Sequence, residues 1–192
     1  EFFDWAIING DTVSGVTTFY IEHQIDTGNI IFQEKASIEE DDNAGVLHDK
    51  LMQIGSQLVC KTIDAISDGI VPNIKQEGAA TQAPKIFKDT CKIDWSKDIH
   101  SIHNHIRGLS PYPASWTTLS NGRSLKVYKS SKEVSTHEEK IGSILTDGKS
   151  HLKVAVQGGF IFLEEIQLAG KNRMAISDFL RGFQMNETLI FL

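Results

Sequence analysis

Two apolar segments separated by a short turn constrain the fold of this chain more than any other feature. Residues 16–21 place their side chains alternately on two faces and are apolar or β-branched on both, which predicts a strand of a sheet covered on both faces. Asp26 follows in a tight turn, and Gly28 lets the chain reverse into the second apolar run at 29–31. A carboxylate at such a turn is a candidate catalytic group, although Asp and Gly are also common in turns with no other role.

Size and charge narrow the class of protein. With 192 residues, 40% of them hydrophobic, the chain can form one large domain or two small ones with real cores. Its 19 basic and 25 acidic side chains give a net charge of -6, which does not indicate the basic face typical of nucleic-acid binding. The basic charge is nevertheless uneven, because fifteen of those 19 residues lie in 81–192.

Cysteine content and hydropathy indicate the cellular compartment in which the protein is expected. Cys60 falls in a predicted helix and Cys91 in a polar connector, and neither has metal-ligand partners at close spacing. We therefore expect reduced cysteines, no metal and a cytoplasmic protein. No apolar run approaches the ~20 residues that cross a bilayer, so no membrane partner is expected.

Periodicity and capping residues predict the secondary structure. Asp41, Asp42 and Asn43 offer cap oxygens before a helical apolar stripe that continues to about Ser67, and periodicity is then lost over residues 69–92. The predicted helices are 4–9, one that follows the caps at 41–43 and continues to about 67, 98–107 and 175–182. The predicted strands are 15–22, 29–37, 115–119, 124–129, 141–146, 151–156 and 159–168. Five short strands in the second half indicate a small barrel or an open sheet.

Several short motifs together resemble one enzyme family. In the second half they are Ile93-Asp94-Trp95, the segment from Ile102 to Leu109, and Pro111-Tyr112-Pro113-Ala114-Ser115-Trp116. In the first half they are Trp5-Ala6-Ile7-Ile8-Asn9-Gly10, Gly15-Val16-Thr17 and Ile25-Asp26-Thr27-Gly28. The first set resembles the carboxy-terminal domain of the methionyl-tRNA formyltransferases, and the second set resembles the end of their catalytic domain.

The resemblance implies a fold and a division of the chain. Residues 1–75 are expected to be the carboxy-terminal part of an α/β, Rossmann-like formyltransferase catalytic domain, which is incomplete here. Residues 76–92 are expected to be a linker, and residues 93–192 an OB-like β-barrel domain that binds tRNA. Because the chain starts at Glu1 without a methionine, we expect it to be a fragment.

The same resemblance implies an activity and its chemistry. These enzymes transfer a formyl group from 10-formyltetrahydrofolate to the amino group of methionyl-initiator-tRNA in translation initiation, a reaction that needs an oxyanion stabiliser and a group that moves protons. Asp26 matches the family's catalytic Asp, whereas the family's Asn and His would precede Glu1, so the chain alone is expected to be inactive. The backbone of Gln24, Ile25 and Asp26 is expected to contact the pterin ring.

Six basic residues are candidates for tRNA contact. Lys85, Lys88 and Lys92 recur every three or four residues and resemble the family's basic connector. The other candidates are Arg107, Lys126 and Lys129. Each can also be an ordinary solvated side chain, and Arg107 or Asn104 can instead tie its helix to the turn Pro111-Tyr112-Pro113. Trp95 and Trp116 are predicted to seal the core of the second half.

Two further interpretations remain open at this point. The chain can come from another formyl-folate enzyme, such as a nucleotide-sugar formyltransferase or the hydrolase part of a formyl-folate dehydrogenase. It can also be a non-catalytic RNA-binding module. On the main interpretation the partners are initiator methionyl-tRNA and folate, and the protein is expected to be a monomer.

Overall fold

The computed structural model describes residues 2–25, 27–78, 81–120, 122–182 and 191. The helices are α1 (Phe2–Ile8), α2 (Ala44–Ser67), α3 (Ile99–Gly108) and α4 (Ile176–Gly182), with one 3-10 turn at Asp89–Cys91. The strands are β1 (Val13–Phe19), β2 (Ile30–Ser37), β3 (Ser115–Thr118), β4 (Ser124–Val134), β5 (Ile144–Thr146), β6 (Leu152–Val156), β7 (Gly159–Leu168) and β8 (Met174–Ala175).

The first half is a hairpin covered by one long helix. β1 and β2 pair antiparallel, and α2 begins where the side chain of Asn43 accepts a hydrogen bond from the N–H of Val46 at 2.9 Å. The helix lies along the hairpin, and Thr18 Oγ1 is 3.0 Å from Thr62 Oγ1. The prediction that β1 is covered on both faces is not met, because every residue of β1 is half-buried or exposed and the contact with α2 is made by one face only.

The second half is one antiparallel sheet with a large core. The strands pair in the order β3-β4-β7-β6-β5, and β8 lies beside the end of β7. The core includes buried residues from α3, from the strands β4, β6 and β7 and from α4, and Ile106, Val154 and Ile161 in it have no exposed surface. Within the described residues the ladder does not close between β3 and β5, so pairing alone does not give the predicted OB-like barrel.

The two halves meet at α1 and α3. Gly108 is required there, because a Cβ at this position would lie 2.7 Å from Ile8 Cγ1 and 3.1 Å from the carbonyl oxygen of Asp4. The guanidinium of Arg107 donates to the carbonyl of Asp42 at 2.8 Å and, through Nε, to Asn104 Oδ1 at 2.9 Å. Arg107 therefore ties α3 to the turn before α2, and not to the proline turn as one reading of the sequence expected.

Candidate functional site

The loop between β1 and β2, residues 20–29, carries the first candidate site. Its base is closed by the N–H of Tyr20, which donates to the carbonyl of Asn29 at 2.9 Å. Gly28 is buried at this point, and a Cβ on it would lie 1.5 Å from the carbonyl oxygen of Tyr20, so only glycine fits. The close approach of Gly28 to the backbone of Tyr20 closes the base of the loop and requires glycine at position 28.

The tip of this loop projects into solvent. Ile25 is 86% exposed and Ile21 is 94% exposed. Gln24 is also exposed, and its carbonyl accepts a hydrogen bond from Thr27 Oγ1 at 2.9 Å. The catalytic candidate Asp26 lies outside the described residues, so its role remains a prediction from the sequence. The described neighbours of Asp26 therefore present backbone and apolar surface for a ligand to contact.

A segment that sequence reasoning placed at the domain boundary supports the loop. Ile74 and Ile30 exchange backbone hydrogen bonds of 2.7 and 2.9 Å. Gln76 Nε2 donates to the carbonyl of Gly28 at 2.6 Å, and Asn29 Nδ2 donates to Asn73 Oδ1 at 2.8 Å. The amides of Asn73 and Gln76 were the available signal, since amide side chains in an aperiodic stretch often hold neighbouring backbone.

A second candidate site lies at the start of the carboxy-terminal half. We call it the basic–aromatic surface, and it consists of Lys85, Phe87, Lys88, Lys92, Trp116 and Lys126. Backbone pairing brings these residues together, because Trp116 forms a bridge with Lys92 on one side and pairs with Lys126 on the other. Neighbouring strands are about 4.8 Å apart, so these three side chains form a row.

The ring of Trp116 is the centre of this surface. Its indole N–H donates to the carbonyl of Lys88 at 2.8 Å, which fixes the ring. The ammonium groups of Lys88 and Lys92 lie 5.7 and 5.9 Å from its centroid, within the usual range of cation–π contact. The prediction that both tryptophans seal the core is therefore correct only for Trp95, which is buried and donates to Thr117 Oγ1.

The remaining lysines of the basic–aromatic surface contact Phe87 and Pro113. Lys85 Nζ is 5.7 Å from the centroid of the Phe87 ring. Lys126 Nζ donates to the carbonyl of Pro113 at 3.1 Å. The structure thus brings four of the six sequence-predicted basic residues onto one surface, and all four are exposed.

The other two predicted basic residues are engaged with the protein itself. Arg107 is half-buried, and burial lowers the pKa of its guanidinium. Lys129 Nζ lies 3.0 Å from Glu164 Oε2, and this hydrogen bond raises the pKa of Lys129. Lys126 and Lys129 both lie in β4, but a β-bulge interrupts the strand between Val127 and Lys129.

Two other sequence expectations concern cysteines and membranes. Cys60 is exposed, Cys91 is buried, and both are free thiols. Burial raises the pKa of the Cys91 thiol. Among the helices of the described ranges, none combines the length and apolar character that a bilayer crossing needs.

Comparison with known proteins identifies the family. Residues 85–184 match the family model "Formyl transferase, C-terminal domain", and residues 2–63 match the model "Formyl transferase". A methionyl-tRNA formyltransferase of Phocaeicola vulgatus is 48% identical over 96% of this chain, which spans 60% of that relative's length.

Solved structures agree with the family models. HypX of Aquifex aeolicus, solved with tetrahydrofolic acid, shares the fold with a TM-score of 0.70 at 15% identity, over 96% of this chain and 33% of HypX. An N-formyltransferase of Helicobacter canadensis, solved with folinic acid and dTDP-3-aminofucose, is 26% identical with a TM-score of 0.65, over 82% of this chain and 57% of that protein. The carboxy-terminal family model alone covers more than half of the 192 residues, and the chain therefore belongs to the formyl transferase family.

Proposed function

We propose that this chain is part of an enzyme that transfers the formyl group of 10-formyltetrahydrofolate to the amino group of methionyl-initiator-tRNA. The observation that carries the proposal is the basic–aromatic surface, which holds four exposed lysines, two of them over the ring of Trp116, in a chain whose net charge is -6. Phosphate contacts of this kind position a nucleic acid without reading its sequence. The 48% identity to a methionyl-tRNA formyltransferase supports tRNA as the acceptor.

Formyl donor and proton transfer belong to the loop at 20–29 in this proposal. 10-Formyltetrahydrofolate supplies the formyl group when bound. The exposed backbone at Gln24 and Ile25 can meet the donors and acceptors of a flat heterocycle, and the exposed Ile25 side chain can cover one of its faces. Asp26 takes the role of proton carrier, because a carboxylate held beside the reacting groups can accept the proton of the attacking amine and pass it to the leaving nitrogen of the folate.

Binding of tRNA belongs to the carboxy-terminal half. Lys85, Lys88, Lys92 and Lys126 contact phosphates. Arg107 and Lys129 are weaker candidates, because Arg107 is half-buried and Lys129 is paired with the carboxylate of Glu164. We assign the sheet to the OB-like barrels, whose closing contacts need not be ladder hydrogen bonds. A cytoplasmic monomer that partners initiator tRNA and folate is part of the same proposal.

A chimaera tests the activity directly. This chain replaces the matching part of the Phocaeicola vulgatus relative, and formylation of charged initiator tRNA is measured with 10-formyltetrahydrofolate as donor. We expect turnover comparable to that of the relative. A correctly folded chimaera that binds tRNA but fails to formylate it would contradict the proposed activity.

The sugar N-formyltransferase neighbour defines a second candidate acceptor. That protein was solved with dTDP-3-aminofucose, so the same chimaera is assayed with this nucleotide-linked amino sugar in place of tRNA. The lysine-rich surface favours a long polyanion over a single nucleotide, and we therefore expect no formylation of the sugar. Preference for the sugar would transfer the assignment to that class of enzyme.

A further inference from the structure

A cavity of about 610 Å³ opens beside Trp116, between the segment at 86–91 and the strands β3 and β4. Three aromatic rings, those of Phe87, Tyr112 and Trp116, line it together with the side chains of Lys88 and Lys126. Its volume falls within the ~300–1,000 Å³ of ordinary ligand pockets. Aromatic rings interleaved with lysines are the composition of sites that hold single-stranded nucleic acid.

Two of the three rings at this cavity are largely exposed, whereas Trp116 is half-buried. Tyr112 is 83% exposed and Phe87 is 62% exposed, whereas aromatic side chains of this size usually bury most of their surface. Tyr112 lies between two prolines, and the carbonyl of Pro113 next to it accepts a hydrogen bond from Lys126 at 3.1 Å. Its backbone is therefore held in place, so stacking against Tyr112 would order little more than the ring itself.

Tyr112 also borders a second cavity, and charge distinguishes the two. The second cavity, about 690 Å³, is lined by Asp4 and Asp49 as well as Tyr112. Carboxylates repel a phosphate backbone, whereas Lys88 and Lys126 on the first side attract it. A nucleic acid that reaches Tyr112 therefore approaches from the lysine side.

We propose that the cavity beside Trp116 receives an unpaired base of the bound RNA, stacked on Tyr112, with the adjoining phosphates on Lys88 and Lys126. The inference rests on the proposed function, because it specifies how tRNA contacts the carboxy-terminal half. Bases inside a duplex are stacked on one another and cannot enter, so the occupant is a nucleotide of a loop or of a single-stranded end. Every base has an aromatic face, and the contact is therefore tolerant of sequence.

The test uses this chain and two RNA probes. One is a single strand of about 12 nucleotides, within the usual site size of such domains, and the other is the same strand annealed to its complement as a blunt duplex. We expect Tyr112→Ala to weaken binding of the single strand roughly 5- to 150-fold, the usual loss for one stacked base. Binding of the duplex stays at the wild-type value, and Tyr112→Phe binds like the wild type because the ring is kept.

The salt dependence and a control variant complete the design. The slope of log affinity against log salt is unchanged in Tyr112→Ala, since stacking releases no counterions. Phe2→Ala removes a ring that is 79% exposed on α1, far from the lysines in sequence, and leaves affinity for both probes unaltered. Thermal unfolding checks that each variant is folded. We expect the Tyr112 variants to be folded, because substitutions of exposed side chains change stability little.

The outcomes separate this inference from the proposed function. The stacking site is overturned if Tyr112→Ala binds the single strand as tightly as the wild type does, or if it loses the same affinity for both probes. In either case, RNA binding by the wild-type chain leaves the proposed function in place. A wild-type chain that binds neither probe nor tRNA at low salt overturns both. Selective loss of the single strand supports the stacking site.

Discussion

The two halves of the chain differ in how they bury apolar surface. Among the described residues, thirteen of the seventeen exposed large hydrophobic side chains lie in 2–78. The core of the second half gathers nineteen buried residues, whereas the cluster around Ile7 and Leu47 in the first half has four. The second half therefore forms its own core, and the first half depends on packing against α3 for much of its burial.

Charge divides the halves in the same place. Residues 1–80 hold four basic and fourteen acidic side chains, and residues 81–192 hold fifteen basic and eleven acidic ones. The first half therefore repels a polyanion and the second attracts it. This difference supports a division of labour in which the loop of the first half contributes chemistry and the second half contributes binding.

The largest effect is expected from removing the carboxylate of the first half. In the chimaera, Asp26→Asn should lower kcat by about 100- to 10,000-fold, the usual scale for a positioned acid or base. Affinity for tRNA should stay unchanged because the proposal places tRNA binding in the other half. Steady-state formylation and tRNA binding are measured on the same preparation, with Asp64→Asn on the exposed side of α2 as the control. A normal kcat would reduce Asp26 to a turn residue.

Matched truncations test the difference in burial. Ile161→Ala in β7 removes a fully buried side chain and should lower the free energy of unfolding by about 2–5 kcal/mol. Ile63→Ala in α2 removes a side chain that is 60% exposed and should change it by no more than about 0.5 kcal/mol. Urea unfolding gives both values. Equal losses would mean that the α2 surface is buried in solution.

The histidine between the halves gives a pH dependence. Burial, with Lys132 and Arg107 nearby, lowers the pKa of His103 from 6.5 to about 4. Its Nδ1 is 3.1 Å from Ser130 Oγ. As the pH drops, His103 is protonated near pH 6.5 in the unfolded chain but only near pH 4 in the folded chain. The free energy of unfolding therefore falls as the pH drops from about 6.5 to about 4.

The full contribution of His103 is about 3 kcal/mol at most. Urea unfolding between pH 7.5 and pH 4.5 measures it. His103→Gln should flatten this part of the pH profile. A wild-type slope in His103→Gln would assign the titration to other groups.

The contact between the halves is tested with two helical glycines. Gly108→Ala places a methyl 2.7 Å from Ile8 Cγ1 and close to backbone, and overpacking of this kind costs about 1–3 kcal/mol. Gly182→Ala meets nothing within 4 Å among the described residues and should be neutral or stabilising. Thermal unfolding compares the two variants. If Gly108→Ala were as stable as Gly182→Ala, α1 and α3 would not pack this closely in solution.

The smallest effect on the fold is expected from the exposed lysines, which act on binding alone. Changing Lys85, Lys88 and Lys92 together to Ala should lower the slope of log affinity for tRNA against log salt by about 2 to 3, since each phosphate contact contributes 0.7 to 0.9. Changing Lys35, Lys61 and Lys75 of the first half to Ala is the matched control and should leave the slope unaltered. Similar slopes in both triple variants would show that Lys85, Lys88 and Lys92 do not contact the phosphates of tRNA.

Local sequence determined most of the elements. A helical stripe behind the possible caps at 41–43 predicted a helix that continues to about Ser67, and α2 begins after Asn43 and ends at Ser67. The alternation at 159–168 likewise gives β7. β8 and the 3-10 turn at Asp89–Cys91 were missed, because two or three residues carry no period. β4 extends five residues beyond its predicted end, since its bulges interrupt the alternation on which the prediction relied.

Tertiary structure decided which of these elements meet. β4 lies between β3 and β7, and the ring of Trp116 faces Lys88 and Lys92 from more than twenty residues away. Arg107 has the carbonyls of Glu39 and Asp42 as partners, although its own neighbours in sequence suggested the proline turn. Periodicity reports only the face on which a residue lies. The partner on that face is selected by packing between segments distant in the chain, and a single sequence does not specify it.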